Sequence, residues 1–191
     1  GIVSNDSIAE RVKALPMSGR HWTRWLPFVI SFLIIALDRV TKFYIQRDLT
    51  AFDSISVIPG LLRIVHTENP GAAFGVLAEG NPMLRTIVLI GVSLLVLFFV
   101  ASALISRSSS FASAATRIGL GFILGGAIGN LYDRILIGTV TDFIEVYSGS
   151  WSFPAFNVAD SAITIGSVFL LIDLLRPRRK NIAAAADSFS E

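Results

Sequence analysis

Residues 86–105 read TIVLIGVSLLVLFFVASALI, twenty consecutive positions without a charge. At a helical rise of about 1.5 Å per residue such a stretch covers about 30 Å, the thickness of a bilayer's hydrocarbon core. It reads as a transmembrane helix, and the flanking sequence falls into register around it. On the N-terminal side, Leu26 to Leu37 is apolar and runs on through Asp38, Arg39 and Lys42 to Ile45, a first span with charge near its far end. On the C-terminal side, Ile118 to Tyr132 is uncharged and glycine-rich, then meets Asp133 and Arg134 before Ile135 to Ile137. Ser161 to Ile172 is the core of a fourth span, extended by Asn157 to Asp160 and by Leu174 and Leu175.

Composition agrees. Of 191 residues, 53% are hydrophobic and 16% charged, against roughly a quarter charged in ordinary soluble domains. The mean hydropathy is +0.67. Such a chain cannot cover a water-facing surface, so lipid must solvate much of it. The expected architecture is an all-α membrane protein with four transmembrane helices. Between the first two spans, Ile55 to Ile58, Pro59-Gly60 and Leu61 to Thr67 carry a hairpin signal. Thr139 to Tyr147 alternates, with Val140, Asp142, Ile144 and Val146 on one side, so a small β-sheet at the membrane surface is expected as well.

Lys and Arg set the orientation. Ten basic residues (Arg11, Lys13, Arg20, Arg24, Arg107, Arg117, Arg176, Arg178, Arg179 and Lys180) fall on one side, and only Arg47, Arg63 and Arg85 on the other. The latter are balanced by Asp48, Asp53, Glu68 and Glu79. The positive-inside rule puts both termini in the cytoplasm. Trp22, Trp25 and Trp151 lie at predicted span ends, where interfacial aromatics collect. The expected division is a cytoplasmic segment 1–24, a membrane domain 25–175 and a basic cytoplasmic tail 176–191. The first span has a signal-peptide-like basic flank but no small-residue cleavage site after it, so it reads as an uncleaved anchor.

Several chemistries drop out. There is no cysteine, which excludes thiol nucleophiles, thiolate metal sites and disulfides. His21 and His66 match no metal-ligand spacing, and no metal or cofactor is expected. No G-x-S-x-G elbow, P-loop or dinucleotide fingerprint occurs. A serine–lysine dyad would have to use Lys42, which Asp38 would hold charged.

What remains is a set of polar groups where polar groups are expensive. Asp38 and Lys42 are i,i+4 and share a helix face. Asn130 and Arg134 share another, with Asp133 one turn from Asn130. Asp142 lies just beyond the outer end of the third span, and Asp160 at the outer start of the fourth. These two spans are antiparallel neighbours joined on the outside, so both carboxylates reach the same membrane face. Two close carboxylates in low dielectric cannot both ionise easily; one keeps a proton and the other can activate water. Plainer readings stand beside this one. Asn157 with Asp160 also matches a helix N-cap with an acidic third position. Asp142 also fits an exposed strand residue. Asp133 with Arg134, and Asp38 with Lys42, also fit structural ion pairs. Asn69-Pro70-Gly71 alone is a turn. A proton-coupled transporter would bury similar charges, but four spans without a repeat suit it poorly.

The stretches Asp38 to Lys42, Asn69 to Gly75, Gly125 to Arg134, Gly138 to Phe143 and Phe156 to Ser161, taken in order, resemble the prolipoprotein signal peptidase (signal peptidase II) family. The resemblance covers about residues 25–175. It implies a four-helix bacterial inner-membrane aspartic endopeptidase with a small periplasmic sheet cradling the substrate. That substrate would be a diacylglyceryl-modified prolipoprotein, cleaved just before the lipidated cysteine. By motif position, Asp142 and Asp160 would be catalytic. Asn69, Gly71, Asn130, Arg134 and Asn157 would line the substrate site, with Asp38, Lys42 and Asp133 in support. The resemblance also implies sensitivity to globomycin; membrane lipid and substrate are the expected partners, with no nucleic acid and a monomeric chain.

The orientation is testable by reporter fusions. Fusions after Lys180 and between Arg107 and Thr116 should report cytoplasm, and one near Asp53 periplasm. A periplasmic signal from the tail fusion would reverse the topology.

Overall fold

The computed structural model describes residues 22–71, 81–106 and 113–176. The basic residues Arg11, Lys13, Arg20, Arg107, Arg178, Arg179 and Lys180 lie outside them. So do His21, Glu79, the motif positions Ala72 to Gly75, and most of the two terminal segments. The described elements run α1 (Trp22–Asp48), β1 (Ser54–Ile58), β2 (Leu62–Asn69), α2 (Pro82–Ile105), α3 (Ala114–Leu136), β3 (Val140–Ser148), β4 (Trp151–Ser152) and α4 (Val158–Leu175). Helices therefore occupy all four stretches expected to be spans. Three of them, α2, α3 and α4, are long and apolar enough to cross a membrane. The first, α1, has 27 residues but carries Arg24, Asp38, Arg39, Lys42, Arg47 and Asp48 within its length, so composition alone does not mark it.

The hub is α3, which packs against the other three helices. Its glycines make this possible. A Cβ on Gly126 would lie 2.3 Å from the Ala159 carbonyl oxygen of α4, and one on Gly121 would lie 2.8 Å from the Pro27 carbonyl oxygen of α1. In lipid, where no hydrophobic effect drives helices together, such close backbone approach supplies the packing. The facing stripe of α1 is Pro27, Ser31, Asp38 and Lys42, all buried. Their spacings of four, seven and four hold them on one helix face. Ser31 Oγ donates to the Pro27 carbonyl at 2.9 Å and across to the Gly121 carbonyl at 2.8 Å. At one end of the bundle Val100, Ala103 and Leu104 of α2 close on Leu120 and Ile123 of α3. The opposite end is polar.

The four strands form one antiparallel sheet in the order β1-β2-β3-β4. The expected hairpin is present, with Gly60 at φ 78° in its turn. The alternation expected along β3 is only half realised. Val140, Thr141, Asp142 and Phe143 are all buried, and only the outer half opens up. Two packings cause this. Gln46 of α1 bonds Thr141 from one side. The segment entering α4 pairs Phe156 with Ile144 along the other edge. Since α1 and α3 end where the sheet begins, and α2 and α4 start there, the sheet caps the polar end of the bundle.

Gly126→Ala should force α4 off α3 and cost about 1–3 kcal/mol of overpacking strain, read as a lower thermal midpoint in detergent. Gly91→Ala is the control. It faces open space on α2 and should leave the midpoint unchanged or slightly raised, as Ala favours helix over Gly. Equal midpoints for the two variants would refute the close-packing argument.

Candidate active site

Four charges meet between α1 and α3, three of them buried and the fourth, Arg39, partly exposed. Lys42 Nζ lies 2.6 Å from Asp133 Oδ2 and 2.9 Å from Asp38 Oδ2. Arg39 lies 2.9 Å from Asp38 Oδ2 and 2.5 Å from Asp133 Oδ1, with its guanidinium over the Tyr132 ring at 4.6 Å. Two carboxylates and two cations cancel, which makes burial tolerable. The group also reaches outward. Asp38 Oδ1 accepts from the backbone N–H of Ala159 at 3.1 Å, in the first turn of α4, where a negative charge is favoured by the helix dipole.

Next to the quartet lies a chain of three asparagines and two aspartates. Asn130 Nδ2 donates to Asp160 Oδ1 at 2.6 Å, while its Oδ1 accepts from Asn157 Nδ2 at 3.2 Å and from Lys42 Nζ at 3.4 Å. Asn157 Nδ2 also donates to Asp142 Oδ1 at 2.7 Å. Asn157 Oδ1 caps α4 by accepting from Asp160 N–H at 2.9 Å, and the Asp160 carboxylate returns a capping bond to Asn157 N–H. Asn69 Nδ2 donates to Asp142 Oδ2 at 2.9 Å, and its Oδ1 accepts from Gly71 N–H at 2.8 Å. Each amide thus has its oxygen held by a donor, which aims its NH2 at a carboxylate. Asn157 touches both aspartates, with its amide on the Asp142 carboxyl and its backbone N–H on that of Asp160.

Asp142 lies on β3, beyond the helices. Burial pushes its carboxyl up to about 7. The Asp160 charge adds to the rise, while hydrogen bonds from Asn69 and Asn157 and the Lys42 charge oppose it. A carboxyl that keeps its proton near neutrality can act as an acid. Asp160 lies half-buried at the start of α4, joined to Asp142 through the amides of Asn130 and Asn157.

The residues singled out in the sequence converge, with two corrections. Asp133 does not pair with Arg134. Successive helix residues point about 100° apart, so Asp133 turns to α1 and meets Arg39 and Lys42. The Arg134 guanidinium is left half-buried; its Nη1 makes a long 3.5 Å bond to the Asn130 carbonyl, and its Nε has no partner. Its charge acts on Asp160 and Asp142, which suits it to a carbonyl or other acceptor entering the pocket. The second correction enlarges the Asp38–Lys42 pair to a quartet containing Arg39. Arg39, inside the Asp38 to Lys42 stretch, supplies the second cation. Gly71 lies at the turn after β2 with φ +94°, where a Cβ would strike Leu89 of α2. It contributes a backbone donor and a close approach. The N-cap reading of Asn157 and Asp160 holds, and the same two side chains also take part in the asparagine–aspartate chain. Among the described residues no group of His, Cys, Asp and Glu is arranged to hold a metal ion.

This arrangement sits on a recognisable sequence. A family profile described as Signal peptidase (SPase) II matches residues 30–176. The lipoprotein signal peptidase of Solibacter usitatus is 43% identical over 157 residues, 82% of this chain and 94% of that protein. That of Pseudomonas aeruginosa is 39% identical over 163 residues, covering 83% and 94%. Among solved structures, a bacterial membrane enzyme determined at 1.9 Å by the in meso method superposes with a TM-score of 0.68 at 30% identity. The match covers 80% of this chain and 94% of that one.

The quartet makes a specific stability prediction. Lys42→Met leaves two buried carboxylates facing Arg39 alone and should cost about 3–5 kcal/mol, seen as less folded protein after extraction. Adding Asp133→Asn restores the charge balance and should recover much of that loss. Adding Asp38→Asn should recover less, because Asp38 also caps α4. Equal rescue by the two second-site changes would show that the cap is not worth having.

Proposed function

The chain belongs to the signal peptidase II family, and we propose that it is a membrane-embedded aspartic endopeptidase that removes signal peptides from diacylglyceryl-modified prolipoproteins, cutting just before the lipidated cysteine. The observation that carries this reading is the amide chain between the two carboxyls: Asn157 Nδ2 donates to Asp142 Oδ1 and Asn130 Oδ1, and Asn130 Nδ2 donates to Asp160 Oδ1.

In the proposed chemistry Asp160 takes a proton from a water molecule as its oxygen attacks the scissile carbonyl carbon. Asp142 gives its proton to the carbonyl oxygen, forming a gem-diol. On collapse, the peptide nitrogen takes the proton held by Asp160 and the C–N bond breaks, while a diol hydroxyl returns a proton to Asp142. Both carboxyls end as they began. Arg134 supports the step by drawing the carbonyl of the incoming peptide, since its guanidinium has unused donor capacity. Asn69, Asn130 and Asn157 hold the carboxylates in place, and Gly71 holds Asn69. Asp38, Lys42 and Asp133 act through Asn130 and the start of α4.

The same proposal places α1 as a fourth span, residues 25–175 as the peptidase domain, and segments 1–24 and 176–191 in the cytoplasm. The sheet then lies at the periplasmic face of the inner membrane, beside membrane lipid and the lipidated substrate. The enzyme works as a monomer and is inhibited by globomycin.

Cleavage of a lipidated proprotein by purified enzyme tests the dyad. Asp142→Asn and Asp160→Asn should each lower kcat by about 10³-fold or more, stay folded, and still bind globomycin. The double variant should be no worse than either single. Because Asp142 is the proton holder, with its carboxyl near 7, wild-type kcat/KM should fall as pH rises past about 7. Substantial turnover by Asp142→Asn would remove it from the chemistry.

A further inference from the structure

The strand pair that carries Asp142 has a second polar cluster on its other face, which the proposed chemistry does not use. Pairing sets Glu68 opposite Thr141 and Asn69 opposite Val140. Strand alternation then puts Asn69, Val140 and Asp142 on one face and Glu68, Thr139 and Thr141 on the other. On this second face Thr139 Oγ1 donates to Glu68 Oε2 at 2.6 Å, and Thr141 Oγ1 donates to Glu68 Oε1 at 2.8 Å. Gln46 Nε2, near the end of α1, donates to Thr141 Oγ1 at 2.7 Å. His66 approaches Glu68 Oε1 at 3.0 Å through Nε2 and the Leu49 carbonyl at 2.8 Å through Nδ1. One carboxylate thus joins β2 to β3 and, through Thr141 and His66, to the end of α1.

The location of this cluster matters. The register of β2 on β3 is irregular between Ile64 and Thr67. A bulge interrupts the backbone ladder, so alignment set by the outer hairpin does not carry through to Asn69. Glu68 sits just past the interruption and one residue before Asn69; Thr141 is one residue before Asp142. We propose that Glu68 is a positioning residue for Asp142: by clamping Thr139 and Thr141 it sets the local register of β2 against β3 and so keeps the Asn69 amide on the Asp142 carboxylate. The clamp is suited to the task. Burial pushes the Glu68 carboxyl up, but hydrogen bonds from Thr139, Thr141 and His66 outweigh it and hold the group below the ordinary glutamate range. It is ionised at neutral pH, and bonds to an ionised acceptor are the stronger kind. The proposal rests on Asp142 belonging to the catalytic pair.

The charged groups acting on Asp142 are Asp160 from α4, Lys42 from α1 and Arg134 from α3; His66 is the titratable neighbour of Glu68. The Asn69 N–H favours ionised Asp142. If the clamp fails and Asn69 drifts away, Asp142 keeps its proton to higher pH and the alkaline limb of the activity profile moves up. A mere folding defect would scale activity at every pH and leave the limb in place.

The test is cleavage of a lipidated proprotein by the full-length enzyme across pH. Glu68→Ala should lower kcat about tenfold with KM little changed and move the alkaline limb upward. Glu68→Gln, which can still accept from one threonine and donate to the other, should restore most of both. Asn69→Ala should show the same displacement, and Glu68→Ala with Asn69→Ala should add nothing to it. Thr141→Val removes one clamped hydroxyl at near-constant shape; it should move the limb in the same direction and serves where Glu68→Ala folds poorly. An unmoved limb in folded Glu68→Ala and Thr141→Val, beside a displaced one in Asn69→Ala, overturns the clamp while Asp142→Asn remains inactive. Cleavage by Asp142→Asn would instead overturn the dyad reading and the clamp with it.

Discussion

Charge neutrality inside the bundle is the constraint on which the polar end of this protein depends. Asp38 and Asp133 are fully buried and Lys42 nearly so, and a lone charge in such surroundings costs several kcal/mol. The quartet with Arg39 removes that cost, and its spare hydrogen-bonding capacity is then used elsewhere. Asp38 reaches the first turn of α4. Lys42 reaches Asn130, fixing which end of that amide faces Asp160. A residue pattern that looks like an isolated i,i+4 pair in sequence is therefore the joint among α1, α3 and α4.

Glycine makes the joint physically possible. A Cβ on Gly129 would meet the Asp38 carboxylate at 2.9 Å, and one on Gly126 would meet the backbone of α4. The glycine-rich run in α3 brings α1 and α4 close enough for one layer of short polar side chains to span the gap. Asparagine and aspartate suit that gap, since each offers hydrogen-bonding groups two bonds from the Cβ. A wider bundle would need longer, looser side chains, and the amide chain would lose the orientation that the proposed acid–base chemistry requires.

How much of this was legible in the sequence depended on whether the signal was local. The helices, the Pro59-Gly60 hairpin and the Asn157–Asp160 cap follow from periodicity, turn chemistry and spacing, and they stand where expected. Convergence of Asp142 and Asp160 on one face followed from antiparallel connectivity. The partner of Asp133 did not follow. Sequence adjacency favours Arg134, whereas the helix turns the two side chains apart, and the partners Arg39 and Lys42 are more than ninety positions away. The glycines of α3 were visible as a composition, but which backbone each one admits is a tertiary fact. The contact of Glu68 with Thr141 gave no local signal, since each is an ordinary strand residue until the β2–β3 register is known.

The division of the sheet between two faces suits the two demands that the proposed chemistry makes on Asp142. Its carboxyl must be dry enough to hold a proton near neutrality, which burial supplies, and it must stay reachable by a peptide and by water. A strand satisfies both because successive residues face opposite ways. Thr141 turns into the protein and is anchored by Gln46 and Glu68, and Asp142 turns toward Asn69, Asn157 and the pocket. On a helix, the anchor and the acid would lie only about 100° apart and compete for the same space. With Asp142 on β3 and Asp160 at the first turn of α4, the proposed acid and base come from two separately anchored elements. The amides of Asn157 and Asn130 link the two carboxyls and let packing set their separation.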